Sequence, residues 1–409
     1  MEIIIIGGSI CGLLFGIICK GLGHSVQVLE RWPTPFLSPR GAGIVLGESV
    51  ESFFALFGGP LPLPSVRNSH RVFLDRRGGT LRRIERDQNT TSWELLYYSL
   101  RRLFDGLPSN DSGATATTSP GTSGARYRFG CEASSIALHE HGQIEVGLAT
   151  PAKSTEAALA DLVVAADGFN STVRKIMLPG VVLDYAGYIA LRGTVPERDL
   201  SDAVVSVCVG SIVFYNGPGI QAVAYAIPGP RGLSEPGDRL VNWVWYQNCP
   251  AGSDQDREMM TDIDGTVHRT TVPPGKLNQA VWSRQLRRAK THLPPQFAEM
   301  MEKTAKPFVQ KIMDAAVPKC AFRNGKVLLA GDAAFGLRPH TGSSTDQAAF
   351  QALKLAELLR GLIDIDQWES AVVHRGMELH RIGVQIGMEC GLGSPSGLIV
   401  DIDSDIRAA

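Results

Sequence analysis

The opening stretch, MEIIIIGGSICGLLFGIICKGLGHSVQVLER, restricts what this chain can fold into more than any other segment. Its apolar run from Ile3 to Cys19 is shorter than the ~20 residues a bilayer span needs, and Gly7, Gly8, Gly12 and Gly16 interrupt it. No basic residue precedes the run and no small-residue cleavage site follows it, so a signal peptide is not expected either. A buried strand satisfies the pattern. Ile3 to Ile6 is β-branched throughout, as a strand covered on both faces should be, and the glycines stand where a strand turns sharply into a helix. The pattern predicts a helix from about Cys11 to Leu22, a stop near Gly23 and a second strand over Ser25 to Leu29, which together make a βαβ unit.

Such a unit also carries a chemical address. In G-x-G-x-x-G the glycines permit the tight turn, let the backbone approach a pyrophosphate and pack helix against strand, while the helix N-terminus faces the anion. Here Gly7, Ser9 and Gly12 occupy the pattern, with Gly8 and Ile10 between them. Glu30 lies eighteen residues after Gly12, where a carboxylate can accept hydrogen bonds from ribose hydroxyls, and Arg31 follows it. The plain alternative is a glycine-rich turn without a ligand.

The chain has 409 residues, enough for two domains or one large domain with a second inserted. With 40 basic and 41 acidic residues it has no electrostatic footprint for nucleic acid or an anionic membrane, so a small-molecule partner is expected. Seven cysteines without a C-x-x-C pair argue against a disulfide framework or a zinc site and for a reducing compartment; no metal is expected. The segment from Leu107 to Arg126 is rich in Ser, Thr, Gly and Pro and is read as a mobile surface loop without site residues.

Two later segments repeat the strand-then-turn grammar. In ADLVVAADGFNSTVRKIML, Leu162 to Ala166 reads as a buried strand, Asp167-Gly168 as its turn, and Asn170 or Ser171 as the cap of a helix carrying Arg174. In GKVLLAGDAAFGLRPHTGSSTDQAAFQALKLAELL, Val327 to Ala330 reads as a strand, followed by Gly331 and Asp332, a Pro/Gly loop and a helix from near Thr345 to about Arg360. The positive end of that helix could stabilise charge on the pyrimidine ring of a reduced flavin.

Together, GGSICG with Glu30, ADGFNSTVR and GDAAFGLRPHTGSSTDQA resemble the dinucleotide, DG and GD motifs of the single-component flavin-dependent aromatic hydroxylases, the para-hydroxybenzoate hydroxylase-like family. LDYAGYIALRG, YAIPG, MTDIDG and RPH most resemble its 2,6-dihydroxypyridine hydroxylase branch. The resemblance implies that Gly7, Ser9 and Gly12 hold the FAD pyrophosphate, Glu30 the adenosine ribose, and Asp332 the ribityl or pyrophosphate region. It implies that Asp167 supports FAD and the approach of NAD(P)H, that Arg40 wraps the flavin, and that Pro339 with the loop through Gly342, Ser343, Ser344 and Thr345 borders the isoalloxazine. Tyr98 stands where many relatives carry a phosphate-binding arginine, so Arg101 or Arg102 is expected to substitute; the serines of HTGSSTDQA replace glycines of many relatives.

Between the DG and GD motifs, AVVSVCVG, QAVAYAIP and RLVNWVWYQN alternate as strands of a mostly antiparallel sheet, joined by a strand pair near Arg71 to Arg83. Tyr188, Phe214, Tyr215, Tyr225, Trp243 and Trp245 are candidates for a pocket wall, with most of them expected in the core. The expected fold is α/β, α+β overall: a Rossmann-like FAD-binding domain (1–68, 92–178 and 286–409) with an inserted substrate domain (69–91 and 179–285). The expected enzyme is a monooxygenase in which NAD(P)H reduces FAD, dioxygen forms a flavin hydroperoxide, and a small electron-rich aromatic or heteroaromatic ring is hydroxylated. His340, beside Pro339, is a candidate aid to substrate deprotonation or a loop histidine bonded to backbone. An NAD-binding dehydrogenase and a catalytically inactive flavin-binding module are the alternatives. A cytoplasmic protein without membrane contact is expected, monomer or homodimer being open, with a C-terminal helix whose stripe of Val372, Met377, Leu379, Ile382, Val384 and Ile386 faces the protein and whose His374, Arg375 and His380 face away.

Overall fold

The computed structural model describes residues 1–34, 43–58, 63–106, 124–149 and 155–393. Arg40, most of the Leu107 to Arg126 segment and the tail from 394 lie outside the described residues. The opening stretch folds as the βαβ unit its pattern predicts: strand Glu2–Ile6, helix Ile10–Gly21 and strand Ser25–Glu30. The first strand is the centre of a six-stranded sheet, paired in parallel with Ser25–Glu30 on one side and with Leu162–Ala165 on the other. Val327–Leu329 and Ala125–Phe129 extend the parallel sheet on its two sides, and Ala321–Phe322 closes one edge in antiparallel sense. The turns after Ile6, Ala165 and Leu329 therefore emerge at the same edge, the carboxyl ends of neighbouring parallel strands, where open α/β sheets bind ligands. Ile3 to Ile6 are all buried, which accounts for the absence of polar alternation in them.

A second sheet has nine strands and is antiparallel except where Ser211–Gly217 meets Val66–Leu74. Its centre is Asp184–Pro196, Leu240–Asn248 and Ile220–Ile227. The helices Gln279–His292 and Pro295–Glu302 and the strand Phe308–Asp314 pack with it, beyond residue 285, where the sequence pattern placed the return to the nucleotide-binding half. The AVVSVCVG segment is not a strand. Asp202–Cys208 is helical because Val204 and Cys208, one turn apart, both reach the core, and Ser201 at its start is fixed by Glu299 through the backbone N–H and the hydroxyl, each at 2.7 Å.

Sheet parity divides the second sheet. Ile189, Leu191, Ala222, Ala224, Trp243 and Trp245 point to the side covered by the two helices and belong to one core. Tyr188, Ala190, Val244 and Tyr246 point to the opposite side, towards the loop that carries Pro339 and His340.

The C-terminal helix, Ile365–Glu389, reverses part of the expected polarity. Its buried positions are Trp368, Val372, Gly376, His380, Gly383, Val384 and Gly387, so His380 faces inwards, and Arg375 reaches back to Asp346. The contact stripe is built from glycines that admit bulky neighbours: a Cβ on Gly376 would lie 2.5 Å from the Phe335 ring. A hydrophobicity pattern does not register such a face. Among the described residues no helix is long and apolar enough to cross a membrane.

Candidate active site

The glycine turn is shaped by contacts that exclude side chains. Gly7 has φ +100°, and a Cβ on Gly12 would lie 1.8 Å from the Gly7 carbonyl oxygen, so strand and helix touch backbone to backbone. Ser9 precedes the helix without capping it through its side chain, leaving the first N–H groups directed at the turn, with Ile10 buried behind them. Glu30 is buried, and its carboxylate accepts from the Gly8 N–H at 2.9 Å and the Trp32 N–H at 3.0 Å, which locks the end of the second strand to the turn. Arg31 beside it is exposed.

A second layer supports this turn. The Tyr127 hydroxyl donates to the Gly8 carbonyl at 2.9 Å, and the Arg101 guanidinium stacks 3.7 Å from the Tyr127 ring centroid. Arg101 pairs with Asp105 at 2.8 Å, yet its Nη1 is buried with no hydrogen-bond partner. Of the two arginines expected to compensate for Tyr98, Arg101 thus stands beside the turn with a spare donor, whereas Tyr98 is exposed. Tyr127 was not singled out by any sequence pattern, since its role depends on pairing between strands far apart in the chain.

The DG and GD motifs meet. Asp167 accepts from Ser171 Oγ at 2.6 Å and from the Thr172 and Val173 N–H groups at 2.7 and 3.3 Å, which fixes the helix Thr172–Met177 after the Gly168 turn. Burial pushes its carboxyl above the ordinary aspartate range against these bonds. Arg174 is buried and donates through Nη1 to the Asp332 and Ala333 carbonyls at 3.3 and 2.9 Å and through Nη2 to the Phe169 carbonyl, tying one motif to the other through backbone. Burial lowers its pKa. Gly331 donates to Gln351 Oε1 at 2.7 Å. Cys11, at the start of the first helix, has its thiol pKa raised by burial and then by the charge of Asp332, which places that carboxylate beside the glycine turn.

The third cluster surrounds Pro339–Thr341. His340 Nδ1 lies 2.6 Å from Gln221 Oε1 and Nε2 lies 2.8 Å from the Tyr188 hydroxyl. Gln221 uses its amide NH2 on Asn216 Oδ1 at 3.2 Å, so its oxygen accepts from His340 Nδ1–H, and Tyr188 donates to Nε2. The Tyr246 ring meets the imidazole edge-on at 4.8 Å. Burial, then the charges of Arg338 and Arg192, lower the His340 pKa to about 3. A neutral imidazole whose lone pair is already taken does not draw a proton from a ring hydroxyl, so this geometry does not support the deprotonating role expected of His340; its partners are also side chains, not backbone. Arg338 before it is buried against Asp314 with Nη2 to Oδ2 at 2.6 Å and Nε to both oxygens at 3.0 and 2.9 Å. Gly342 turns the chain with φ +67° into the helix Ser344–Leu359, whose N-cap Ser343 makes no side-chain capping bond; Thr345 follows in its first turn. Asp346 fixes this helix to the start of Glu48–Phe57 by accepting from the Ser49 N–H at 2.7 Å. Among the wall candidates, Tyr188 and Tyr225 lie on the site face, while Trp243 and Trp245 belong to the opposite core.

These residues fit FAD. A side-chain-free turn, two helix N-termini without side-chain caps, a buried guanidinium nitrogen without an acceptor beside the turn, and Asp332 and Glu30 at the same sheet edge suit a pyrophosphate flanked by sugar hydroxyls.

A family model described as FAD binding domain-like matches residues 185–314. The chain is 29% identical over 387 residues to the 2,6-dihydroxypyridine 3-monooxygenase of Paenarthrobacter nicotinovorans, covering 92% of this chain and 88% of that protein. It superposes on the solved 2,6-dihydroxypyridine-3-hydroxylase from Arthrobacter nicotinovorans with a TM-score of 0.82 at 27% identity, over 97% of this chain and 94% of the other. Klebsiella pneumoniae HpxO, solved with FAD and uric acid, shares the fold at a TM-score of 0.68 and 18% identity, over 95% of this chain and 88% of the other. Motifs, fold and relatives aligned over nearly the whole chain agree on a flavin-dependent monooxygenase, similar to the single-component FAD-dependent aromatic hydroxylases, with FAD and NAD(P)H as its cofactors.

Proposed function

We propose that this monooxygenase hydroxylates a small N-heteroaromatic ring carrying hydroxyl groups, held against the wall that His340 forms with the sheet face bearing Tyr188, Tyr225 and Tyr246. The observation that carries the reading is parity: three neighbouring strands put Tyr188, Tyr225 and Tyr246 on one face, where Tyr188 and Tyr246 meet His340, while the alternate residues are sealed under helices. FAD, once reduced by NAD(P)H, supplies the activation of dioxygen. The rest is done by this chain. Gly7, Gly8, Ser9, Gly12, Arg101 and Glu30 bind the dinucleotide backbone; Asp332, with Arg174 holding its loop, binds sugar or ribityl hydroxyls; the uncapped start of Ser344–Leu359 offers N–H groups to negative charge. Tyr188, Tyr246 and the neutral His340 form a wall that excludes water and orients the ring. Buried free thiols such as Cys19, Cys208 and Cys320 agree with work in a reducing cytoplasm.

The test is oxygenation itself. FAD-loaded protein is mixed with NADPH or NADH, 18O2 and 2,6-dihydroxypyridine or related hydroxypyridines, and the product is weighed by mass spectrometry. Ring-dependent NAD(P)H oxidation with one labelled oxygen per product is expected. Ring-independent oxidation with only hydrogen peroxide formed, for every ring tried, overturns the reading.

A further inference from the structure

We propose that Arg192 anchors an oxyanion of the substrate, so that the enzyme selects hydroxy-heteroarenes as their deprotonated forms. The proposal rests on the hydroxylase reading above and names its substrate class. Arg192 sits on the Asp184–Pro196 strand in the same parity as Tyr188 and Ala190, paired across to Val244, so its side chain rises from the wall that meets His340. It makes no ion pair with any described residue, and its Nε is buried without a hydrogen-bond partner. Its neighbour cation Arg338 is different: Asp314 neutralises it through three hydrogen bonds. Arg192 is thus a half-buried cation on the wall face with no carboxylate partner among the described residues. Its charge also favours ionisation of Tyr225 and Tyr246 and disfavours protonation of His340, so the imidazole and both rings lie within its field. A guanidinium fork beside aromatic faces suits a ring oxygen that has lost its proton. The ring hydroxyl releases that proton to solvent on binding, and the oxyanion electron pair raises electron density at the ring carbons that are oxygenated. No general base is then required, in keeping with a His340 whose lone pair is occupied.

The test compares two rings of the same shape, 2,6-dihydroxypyridine and resorcinol, at a pH where the first is ionised and the second is not. Binding is read from the absorbance change of FAD-loaded enzyme in wild type, Arg192→Gln and Arg192→Lys. Arg192→Gln should weaken the dihydroxypyridine by about ten- to a hundredfold while changing resorcinol by no more than about twofold, with Arg192→Lys between. Because the readout is a ratio within one protein, general loss of folding does not mimic it. An unchanged ratio in Arg192→Gln overturns the proposal and leaves the hydroxylase reading standing. Wild-type holoenzyme that neither binds nor oxygenates either ring overturns both.

Discussion

Asp314→Ala is the perturbation for which the structure gives the firmest magnitude. Both side chains of the Asp314–Arg338 pair are 0% exposed, and the carboxylate accepts three hydrogen bonds from the guanidinium. Arg338 cannot retreat to water, since Gly383 of the C-terminal helix packs on its backbone and Cβ and the Tyr188 ring lies 5.6 Å away. Removing the acid therefore leaves a buried cation stripped of its counter-charge, a loss of about 3 to 5 kcal/mol, which is a large part of the roughly 5 to 15 kcal/mol that holds a typical folded protein. The paired replacement Asp314→Leu with Arg338→Met removes both charges and should recover most of that loss. Urea midpoints of the FAD-loaded proteins at pH 7 provide the measurement, with flavin content recorded alongside. Asp314→Ala should also reduce flavin affinity, because Arg338 directly precedes Pro339 and His340. Stability of Asp314→Ala within about 1 kcal/mol of wild type, or a double variant less stable than the single one, would refute the reasoning.

Gly12→Ala would put a methyl carbon 1.8 Å from the Gly7 carbonyl oxygen, a backbone atom that cannot rotate away; the variant should cost ~1 to 3 kcal/mol and purify with little FAD, read from the protein-to-flavin absorbance ratio. His340, with its pKa lowered to about 3 when folded, binds its proton first in the unfolded chain, so stability is full above the ordinary histidine value of ~6.5 and falls by up to ~1.4 kcal/mol per pH unit as pH drops towards 3. His340→Gln should flatten that part of the urea-midpoint profile between pH 6.5 and 4.5, and an unaltered slope would show that another group carries it.

The nucleotide-binding half was legible because its information is local. Strand, turn, helix and acid fall within the first thirty residues, and contacts such as Gly8 N–H to Glu30 merely close what adjacent residues announce. The supporting residues were not legible: Tyr127 reaches the turn by strand pairing, and Arg174 bridges to residues 158 and 159 positions away through backbone carbonyls that no side-chain pattern encodes. Where structure departs from local pattern, the cause is again contact between distant segments. Val204 and Cys208 satisfy helical and strand patterns alike, and the contact of Glu299 with Ser201 that fixes the helix start is remote in sequence. Polarity alone points His380 to solvent, yet the glycines around it bring the helix close enough to bury it.

The substrate side obeys a different logic, and the difference bears on how such a chain can change its chemistry. In the Asp184–Pro196 strand, Ile189 and Leu191 complete a helix-covered core while Tyr188 and Arg192 rise on the other face, so on the proposed reading one strand serves stability and recognition through alternate residues. A shift of register by one residue would exchange the two sets, and the pairing of this strand with Leu240–Asn248 on one side and Phe308–Asp314 on the other opposes such a shift. Ala190, Val223 and Val244 on that wall lie outside the core that holds the glycine turn and the GD loop. Substituting them can therefore reshape the space for the ring without disturbing the dinucleotide cradle, whereas Tyr188 cannot be exchanged freely because its hydroxyl fixes His340 at 2.8 Å. On the proposed reading, substrate choice should thus be adjustable at the small wall residues, while the Tyr188–His340–Gln221 chain holds the frame.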